Sequence, residues 1–214
     1  MTRPLGECDL AVVGAGILGL AVARELLARH PDVRLQVLEA EHAIAAHQTG
    51  HNSGVVHQGI YYRPGSLKAR LCVRGARMMY AFCEQQGIEA RAIGKLIVAV
   101  DEAELAGLDE LERRGAANGV PGLRRVSAEQ ITDIEPHARG LAALHSPETG
   151  VVDYRKVAVA LRRDVERLGG SVATGCRVRD VIAGGGVRLV HAGGTTRAGG
   201  AVFCAGAWSD RLAK

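Results

Sequence analysis

The chain has 214 residues, of which 47% are hydrophobic and 23% charged, proportions that are ordinary for a globular protein with a buried core. Its net charge of +4 comes from Lys and Arg scattered among acids rather than from basic runs, so we expect no nucleic-acid partner. The five cysteines lie far apart and lack the spacing of metal ligands. They predict reduced thiols, a cytoplasmic location and no metal site.

The N-terminal segment has the pattern of a β-α-β unit. Apolar residues at 10–13 predict a buried strand, residues 17–29 a helix that Pro31 and Asp32 end, and residues 34–39 a second strand. Because the connection passes through a helix, the two strands are expected to be parallel in one sheet.

A loop-like stretch at 47–63, rich in Gly, His and Tyr, separates this unit from a helix with Ser66 as its N-cap. The apolar residues of that helix recur at three- and four-residue steps and form one face, which contains Leu67, Leu71, Met78 and Phe82. Helices are predicted further on at 102–117, 127–134 and 157–168, and strands at 95–100, 141–153 (two strands around a turn), 171–176, 178–182, 187–191 and 201–204.

This order predicts an α/β nucleotide-binding domain with a parallel sheet, interrupted by an α+β lobe on the substrate side. Residues 1–89 and 151–214 are expected to form the two parts of the domain, and residues 90–150 the inserted lobe.

The motif Gly14-Ala-Gly-Ile-Leu-Gly19 follows the first predicted strand and opens the first helix, which is the context of a dinucleotide fingerprint. Gly14 is expected to allow a tight turn, Gly16 to admit a pyrophosphate, and Gly19 to let the helix pack closely on the strand. The backbone N–H groups at the helix start, including those of Ile17 and Leu18, would hold the phosphates.

Glu39 ends the second predicted strand, where a carboxylate accepts hydrogen bonds from an adenosine ribose. Its charge would repel a 2′-phosphate, which argues against NADP. FAD and NAD share this fingerprint. The next segment favours FAD, because Thr49, His51, Asn52, Ser53 and Gly54 offer groups suited to a second phosphate and a flavin edge. A solvated loop is the alternative interpretation of that segment.

The run from Gln48 to Gly75, and above all HNSGVVHQGIYYRPGSLK at 51–68, resembles the L-2-hydroxyglutarate dehydrogenase/oxidase family. That family belongs to a superfamily of FAD-dependent oxidases of D-amino acids, glycine and glycerol 3-phosphate. The resemblance covers nearly the whole chain and implies a Rossmann-like FAD-binding domain. It also implies that the backbone of Val178 contacts the adenine and that the turn at Ala205 and Gly206 lies beneath the flavin.

The resemblance implies oxidation of L-2-hydroxyglutarate to 2-oxoglutarate by hydride transfer to flavin N5. His57 is the candidate base and His51 the second choice, because the pKa of histidine is near neutrality. The alternative role of either histidine is a hydrogen bond to the flavin or the backbone. The candidate ligands of substrate carboxylates are Arg63, Lys68, Tyr61 and Tyr62, with Arg favoured because its planar fork matches a carboxylate, and the alternative is a solvated helix start.

Three points stay open at the level of the sequence. The electron acceptor is oxygen or a quinone, and a membrane contact, if there is one, is peripheral and at the inner membrane, because no segment predicts a span. Another FAD-dependent oxidase of the glycine, sarcosine or glycerol-3-phosphate type is the alternative function. The chains of the family are longer, so a truncated, non-catalytic FAD-binding fragment is the third alternative.

Overall fold

The computed structural model describes residues 6–212, which form two compact units. The helices are α1 (Ile17–Arg29), α2 (Leu67–Gln85), α3 (Glu102–Ala117), α4 (Ala128–Ile134), α5 (Tyr154–Arg167) and α6 (Ser209–Leu212). The strands are β1 (Glu7–Val13), β2 (Leu35–Leu38), β3 (Val55–Val56), β4 (Ala90–Ala92), β5 (Lys95–Ala99), β6 (Arg124–Ser127), β7 (Ala142–Ser146), β8 (Gly150–Val152), β9 (Ser171–Ala173), β10 (Val178–Ala183), β11 (Val187–His191) and β12 (Gly194–Phe203).

The first unit contains the chain up to Asn52 and again from Tyr154, and it is built on a six-stranded sheet in the order β10-β11-β12-β1-β2-β9. Strands β12, β1, β2 and β9 are parallel neighbours, whereas β10, β11 and β12 form an antiparallel meander. The β-α-β unit and the parallel sheet are therefore confirmed. Strand β12 is longer than predicted because its first half pairs with β11 and its second half with β1.

Helices α1 and α5 pack against each other in the first unit. Their buried apolar positions recur at helical spacing, as predicted for α5, and are Leu20, Ala23 and Leu27 in α1 and Val157, Leu161 and Val165 in α5. An ion pair joins the helices, since Arg24 Nε lies 2.7 Å from the buried carboxylate of Asp164. This packing holds α1, and with it the glycine motif, in a fixed position.

The second unit, Ser53–Asp153, contains two separate three-stranded antiparallel sheets, β3-β8-β4 and β5-β7-β6. Strands β7 and β8 follow each other around the predicted turn but belong to different sheets. The predicted start of the inserted lobe, at residue 90, differs from this division. Because β3 pairs with β8 and not with the sheet of the first unit, the second unit already begins at Ser53.

Helix α2 begins after Ser66, whose hydroxyl accepts a hydrogen bond from the N–H of Ala69 as an N-cap does. Its large apolar face is exposed rather than buried: Leu67, Leu71 and Met78 are 61%, 56% and 59% exposed. The buried side of α2 instead carries small residues, namely Ala69, Ala76 and Cys83. Small side chains on this side let α2 pack closely against the rest of the second unit. The spacing of large apolar residues in the sequence does not reveal that small residues are the buried ones.

Candidate functional site

Two glycines of the motif at 14–19 are required by the space around them. Gly14 has φ +107°, and a Cβ there would lie 2.4 Å from the carbonyl oxygen of Cys204. A Cβ on Gly19 would lie 1.9 Å from the carbonyl oxygen of Gly14. The turn and α1 thus approach each other more closely than any side chain allows. A Cβ on Gly16 would meet only the Thr49 hydroxyl, at 3.3 Å.

The start of α1 is open and carries no negative charge of its own. Its N-cap is Gly16, which offers no side chain, and its first turn has no acid. The N–H of Ile17 donates to Thr49 Oγ1 at 3.0 Å, but within residues 6–212 no acceptor is bonded to the N–H of Gly16 or Leu18. The Leu18 side chain is 72% exposed and lies outside the core. Free donors at a helix N-terminus suit a phosphate group.

Glu39 lies directly beside the glycine loop, although it does more there than sequence analysis predicted. Its side chain is buried, and Oε2 accepts a hydrogen bond from the N–H of Ala15 at 2.6 Å while Oε1 accepts one from the N–H of Glu41 at 2.9 Å. The carboxylate therefore ties β2 to the loop. Because two carboxylate oxygens offer about four acceptor sites, capacity for a ribose hydroxyl remains.

The segment at 48–52 begins with a 3-10 turn (Gln48–Gly50), and its polar side chains largely bond within the first unit. The hydroxyl of Thr49 accepts the hydrogen bond from the N–H of Ile17 given above, and Asn52 Nδ2 donates to the carbonyls of Gln48 and Thr49 at 3.1 and 2.8 Å. His51 Nδ1 lies 3.0 Å from the carbonyl of His47, and its Nε2 lies 3.5 Å from a guanidinium nitrogen of Arg155. A hydrogen bond to the backbone is one of the two alternative roles that sequence analysis left open for His51, beside a bond to the flavin.

Of the remaining predicted cofactor residues, some belong to the first unit and some to the second. Val178 is buried at the start of β10, and Ala205 and Gly206 form the turn that follows β12, with Gly206 at φ +57°. The turn lies beside Gly14, because a Cβ there would also come within 3.3 Å of the N atom of Ala205. Ser53 and Gly54 belong to the second unit, where Ser53 is exposed and the Gly54 carbonyl accepts from the N–H of Val152 at 2.9 Å.

A polar cluster next to Glu39 was missed by sequence analysis. Glu41 pairs with Arg177 and lies 3.2 Å from His47 Nε2, and the His47 ring lies 4.7 Å from that of Trp208. The hydrogen bond from His47, joined by the charge of Arg177, lowers the pKa of Glu41. The sequence contained one sign of this cluster, because Arg177 directly precedes Val178, which was predicted to contact the cofactor.

The second unit contains the predicted catalytic and substrate residues. His57 is exposed, and no side-chain partner of its imidazole exists among the described residues. Partial burial, followed by the charge of Lys95, lowers the pKa of His57, so its imidazole is neutral at neutral pH. Tyr62 is half-buried and Arg63 is exposed. Their described hydrogen bonds involve the backbone alone: the carbonyl of Tyr62 accepts from Asn118 Nδ2 at 2.9 Å, its N–H donates to the carbonyl of Gly59 at 3.5 Å, and the carbonyl of Arg63 accepts from the N–H of Ser66 at 3.2 Å.

The described residues contain neither a metal-ligand cluster nor a disulfide bond. Over residues 6–212, no three His, Cys, Asp or Glu side chains come together as metal ligands would. All five cysteines are free thiols, and burial raises the pKa of each. The described helices include none with the length and apolar composition needed to cross a bilayer.

The geometry of the first unit fits FAD. Unbonded N–H groups stand at the start of α1 beside a turn that excludes side chains, which suits a pyrophosphate. Glu39, at the end of the neighbouring strand, suits the adenosine ribose. The turn at Ala205 and Gly206 brings a third backbone segment to the same edge of the sheet.

Similar proteins support this fit. The chain is 47% identical over 219 residues to the mitochondrial L-2-hydroxyglutarate dehydrogenase of Homo sapiens, with 96% of this chain and 47% of that protein covered. It is 52% identical over 173 residues to the protein of the same name from Bos taurus, with 81% and 37% covered. The chain spans about half the length of the curated relatives it matches.

Solved structures show the same fold. Glycine oxidase from Geobacillus kaustophilus superimposes with a TM-score of 0.87 at 24% identity, over 97% of this chain and 58% of that one. The L-α-glycerophosphate oxidase from Mycoplasma pneumoniae, with FAD bound, gives a TM-score of 0.90 at 24% identity, over 98% and 56%. The model of the DAO family, described as FAD dependent oxidoreductase, matches residues 9–214. The chain therefore belongs to the FAD-dependent oxidoreductase family.

Proposed function

We propose that this chain is the FAD-binding portion, with part of the substrate side, of an enzyme that oxidises L-2-hydroxyglutarate to 2-oxoglutarate. One observation carries the proposal: the identity of 47–52% with L-2-hydroxyglutarate dehydrogenases, over 96% and 81% of this chain. The likeness to glycine and glycerophosphate oxidases, at 24% identity, supports the fold alone.

The first unit is proposed to hold the cofactor. The N–H groups of Gly16 and Leu18 would donate to the pyrophosphate, and Glu39 would accept from the ribose with the acceptor sites that Ala15 and Glu41 leave unused. The backbone of Val178 would contact the adenine, and the turn at Ala205 and Gly206 the flavin. Thr49, whose hydroxyl already fixes the start of α1, would position this end of the site.

The residues at 51–54 have different surroundings, and we therefore propose different roles for them. His51 and Asn52 are bonded to neighbouring backbone, and we propose that they shape the loop beside the cofactor rather than bind it through their side chains. Ser53 and Gly54 stay proposed as cofactor contacts, Ser53 because its hydroxyl is exposed.

His57 is proposed as the base. When bound, FAD supplies the chemistry of a hydride acceptor at its ring atom N5. The imidazole of His57 is neutral, exposed and without a described partner, so it can accept the proton of the C2 hydroxyl. Arg63, through a planar fork of donors, and Tyr62, through its hydroxyl, are proposed to bind carboxylates of the substrate. The electron acceptor, oxygen or a quinone, would reoxidise the enzyme.

The test is an absorbance spectrum of the purified protein in its full natural length. We expect flavin bands that bleach on anaerobic addition of L-2-hydroxyglutarate and persist with the D enantiomer. Glycine, sarcosine and glycerol 3-phosphate serve as competing substrates, and bleaching by one of these instead would overturn the proposal. A protein that cannot be reconstituted with FAD would do so as well. Admitting oxygen or a quinone to the reduced enzyme then identifies the acceptor.

The His57→Gln variant tests the base, with His137→Gln as the matched control because His137 is an exposed histidine of the same unit. We expect His57→Gln to keep its flavin and to reduce it about 100-fold or more slowly than wild type, because a positioned base contributes about 10²–10⁴-fold. Reduction at the wild-type rate would remove His57 from this role.

A further inference from the structure

Lys95 is a cation without a counter-ion among the residues that the structure describes. It is half-buried at the start of β5, and within residues 6–212 no carboxylate lies at ion-pair distance from its ammonium. Taking part of a charge out of water costs free energy unless an opposite charge or hydrogen-bond acceptors replace the water. The three N–H donors of the ammonium therefore remain available to an anion.

An aromatic ring compensates for part of that cost and fixes the position of the charge. The ammonium of Lys95 stands 4.6 Å from the centroid of the Tyr61 ring, a cation–π geometry. The Tyr61 side chain is 43% exposed, so one side of this pair remains open to a ligand.

Helix α3 holds the loop that carries Tyr61. Arg114 Nη1 donates to the carbonyl of Tyr61 at 3.3 Å, and Asn118 Nδ2 donates to the carbonyls of Gly59 and Tyr62, both at 2.9 Å. These bonds hold the backbone of the loop against α3, which packs on β5. The loop that carries the ring is thus ordered before a ligand binds, which lowers the cost of binding.

His57 responds to the same cation. After partial burial, the charge of Lys95 is the cause that lowers the pKa of the imidazole. The thiol of Cys72 donates to the backbone carbonyl of His57 at 3.2 Å. A neutral imidazole that can accept a proton and a cation that can bind an anion are therefore coupled within one unit of the protein.

We propose that Lys95 binds a carboxylate group of the substrate and so favours anionic 2-hydroxy acids over neutral alcohols. The inference rests on the proposed function and adds a specificity-determining residue to it. The substrate of that reaction has a carboxylate on the carbon that carries the hydroxyl and a second one at its far end. A partly desolvated ammonium held over the Tyr61 ring stabilises either carboxylate, whereas a neutral alcohol gains nothing from it.

Steady-state kinetics of Lys95→Met and Lys95→Arg test the inference, with Lys156→Met as the control because Lys156 is an exposed lysine of the first unit. We expect Lys95→Met to lower kcat/KM for L-2-hydroxyglutarate about 10- to 100-fold, mainly through KM, because it removes one partner of a partly desolvated charge pair. Lys95→Arg should recover part of the loss and Lys156→Met should match wild type. Equal kinetics of Lys95→Met and Lys156→Met would overturn the inference.

Two measurements without turnover separate this inference from the proposed function. In calorimetric titrations with 2-oxoglutarate, Lys95→Met should bind more weakly than Lys156→Met, and equal affinities would count against the inference. In NMR titrations, the pKa of the His57 imidazole should rise in Lys95→Met, because the repelling charge is gone. An unchanged pKa would mean that the charge of Lys95 does not act on His57, and it would count against the inference. A wild-type protein that binds the acid but does not oxidise it would refute the proposed function alone.

Discussion

The two units of this protein differ in what their sequences reveal. In the first unit, the motif at 14–19 predicts the helix start, the turn and the neighbouring strand, and all three occur where expected. In the second unit, helix α3 was predicted correctly, but the small residues that form the buried side of α2 were not predicted, and the loop-like stretch at 47–63 gave no prediction of strand β3. The difference follows from what each site requires.

A dinucleotide site is made largely of backbone, and backbone requirements limit the choice of residue. Only glycine fits at 14 and 19, because other residues would clash with the carbonyls of Cys204 and Gly14. The proposed substrate residues of the second unit act through side chains, and many residues can stand where they do. A histidine or lysine in a sequence does not show whether it is paired, and burial and partners decide what it can do.

The largest effect is expected from a substitution that clashes with the backbone of the first unit. Gly19→Ala places a Cβ 1.9 Å from the carbonyl oxygen of Gly14, so we expect the free energy of unfolding to fall by about 3 kcal/mol or more and FAD binding to be lost. Gly107→Ala, in α3 of the second unit, is the matched control, because a Cβ there meets nothing within 4 Å. It should stabilise the protein by about 0.5–1 kcal/mol. Urea unfolding and flavin content measure both, and a Gly19→Ala protein that keeps its flavin would contradict the argument.

A smaller effect is expected at Glu39, and it separates two roles of that carboxylate. Glu39→Gln keeps one oxygen and turns an NH₂ group towards one of two N–H donors, those of Ala15 and Glu41. Leaving one buried partner unsatisfied should cost about 1–3 kcal/mol of stability and weaken FAD binding. Fluorescence titration with FAD and urea unfolding measure the two effects.

Glu41→Gln provides the control for Glu39→Gln, because Glu41 lies two residues further on and bonds side chains rather than the glycine loop. It should change either quantity much less. A Glu39→Gln protein with weaker FAD binding but unchanged stability would assign Glu39 to the ribose alone. If neither quantity changed, the carboxylate would have no part in the loop or the site.

The elements and the cofactor motif were predictable because they depend on local patterns. The apolar spacing of α5 and the N-cap of α2 appear in the structure as predicted. Partners distant in the chain were not predictable. The bond from Ile17 to Thr49 joins residues 32 apart, and the pair of Glu41 and Arg177 joins residues 136 apart. Nothing within a short window of sequence records such a contact.

The same limit explains the division into units. Strand β3 consists of two residues, Val55 and Val56, and its pairing with β8 is what assigns the segment from Ser53 to the second unit. The apolar periodicity of α2 also did not show which side of the helix is buried, because the exposed face carries the larger side chains. Burial of small residues depends on the surface opposite them, and that surface comes from elsewhere in the chain.

The smallest expected effect concerns pH and tests the second unit. His145 lies on β7 with Nδ1 buried and unbonded among the described residues, and it pairs across the strands with Arg124. Burial, followed by the charge of Arg124, lowers the pKa of His145. The unfolded chain therefore binds more protons than the native one once the pH falls below about 6.5, the ordinary value for histidine.

Unfolding free energy should consequently decrease as the pH falls from 7 to 5, and His145→Gln, which cannot titrate, should decrease less steeply. His57 and His191 also have pKa values lowered by burial, so part of the slope will remain. His137→Gln controls for the loss of an exposed imidazole. Urea midpoints at each pH supply the slopes. Equal slopes for His145→Gln and wild type would mean that the imidazole takes up protons alike in the native and unfolded states, which contradicts its partial burial and the lack of a described partner at Nδ1.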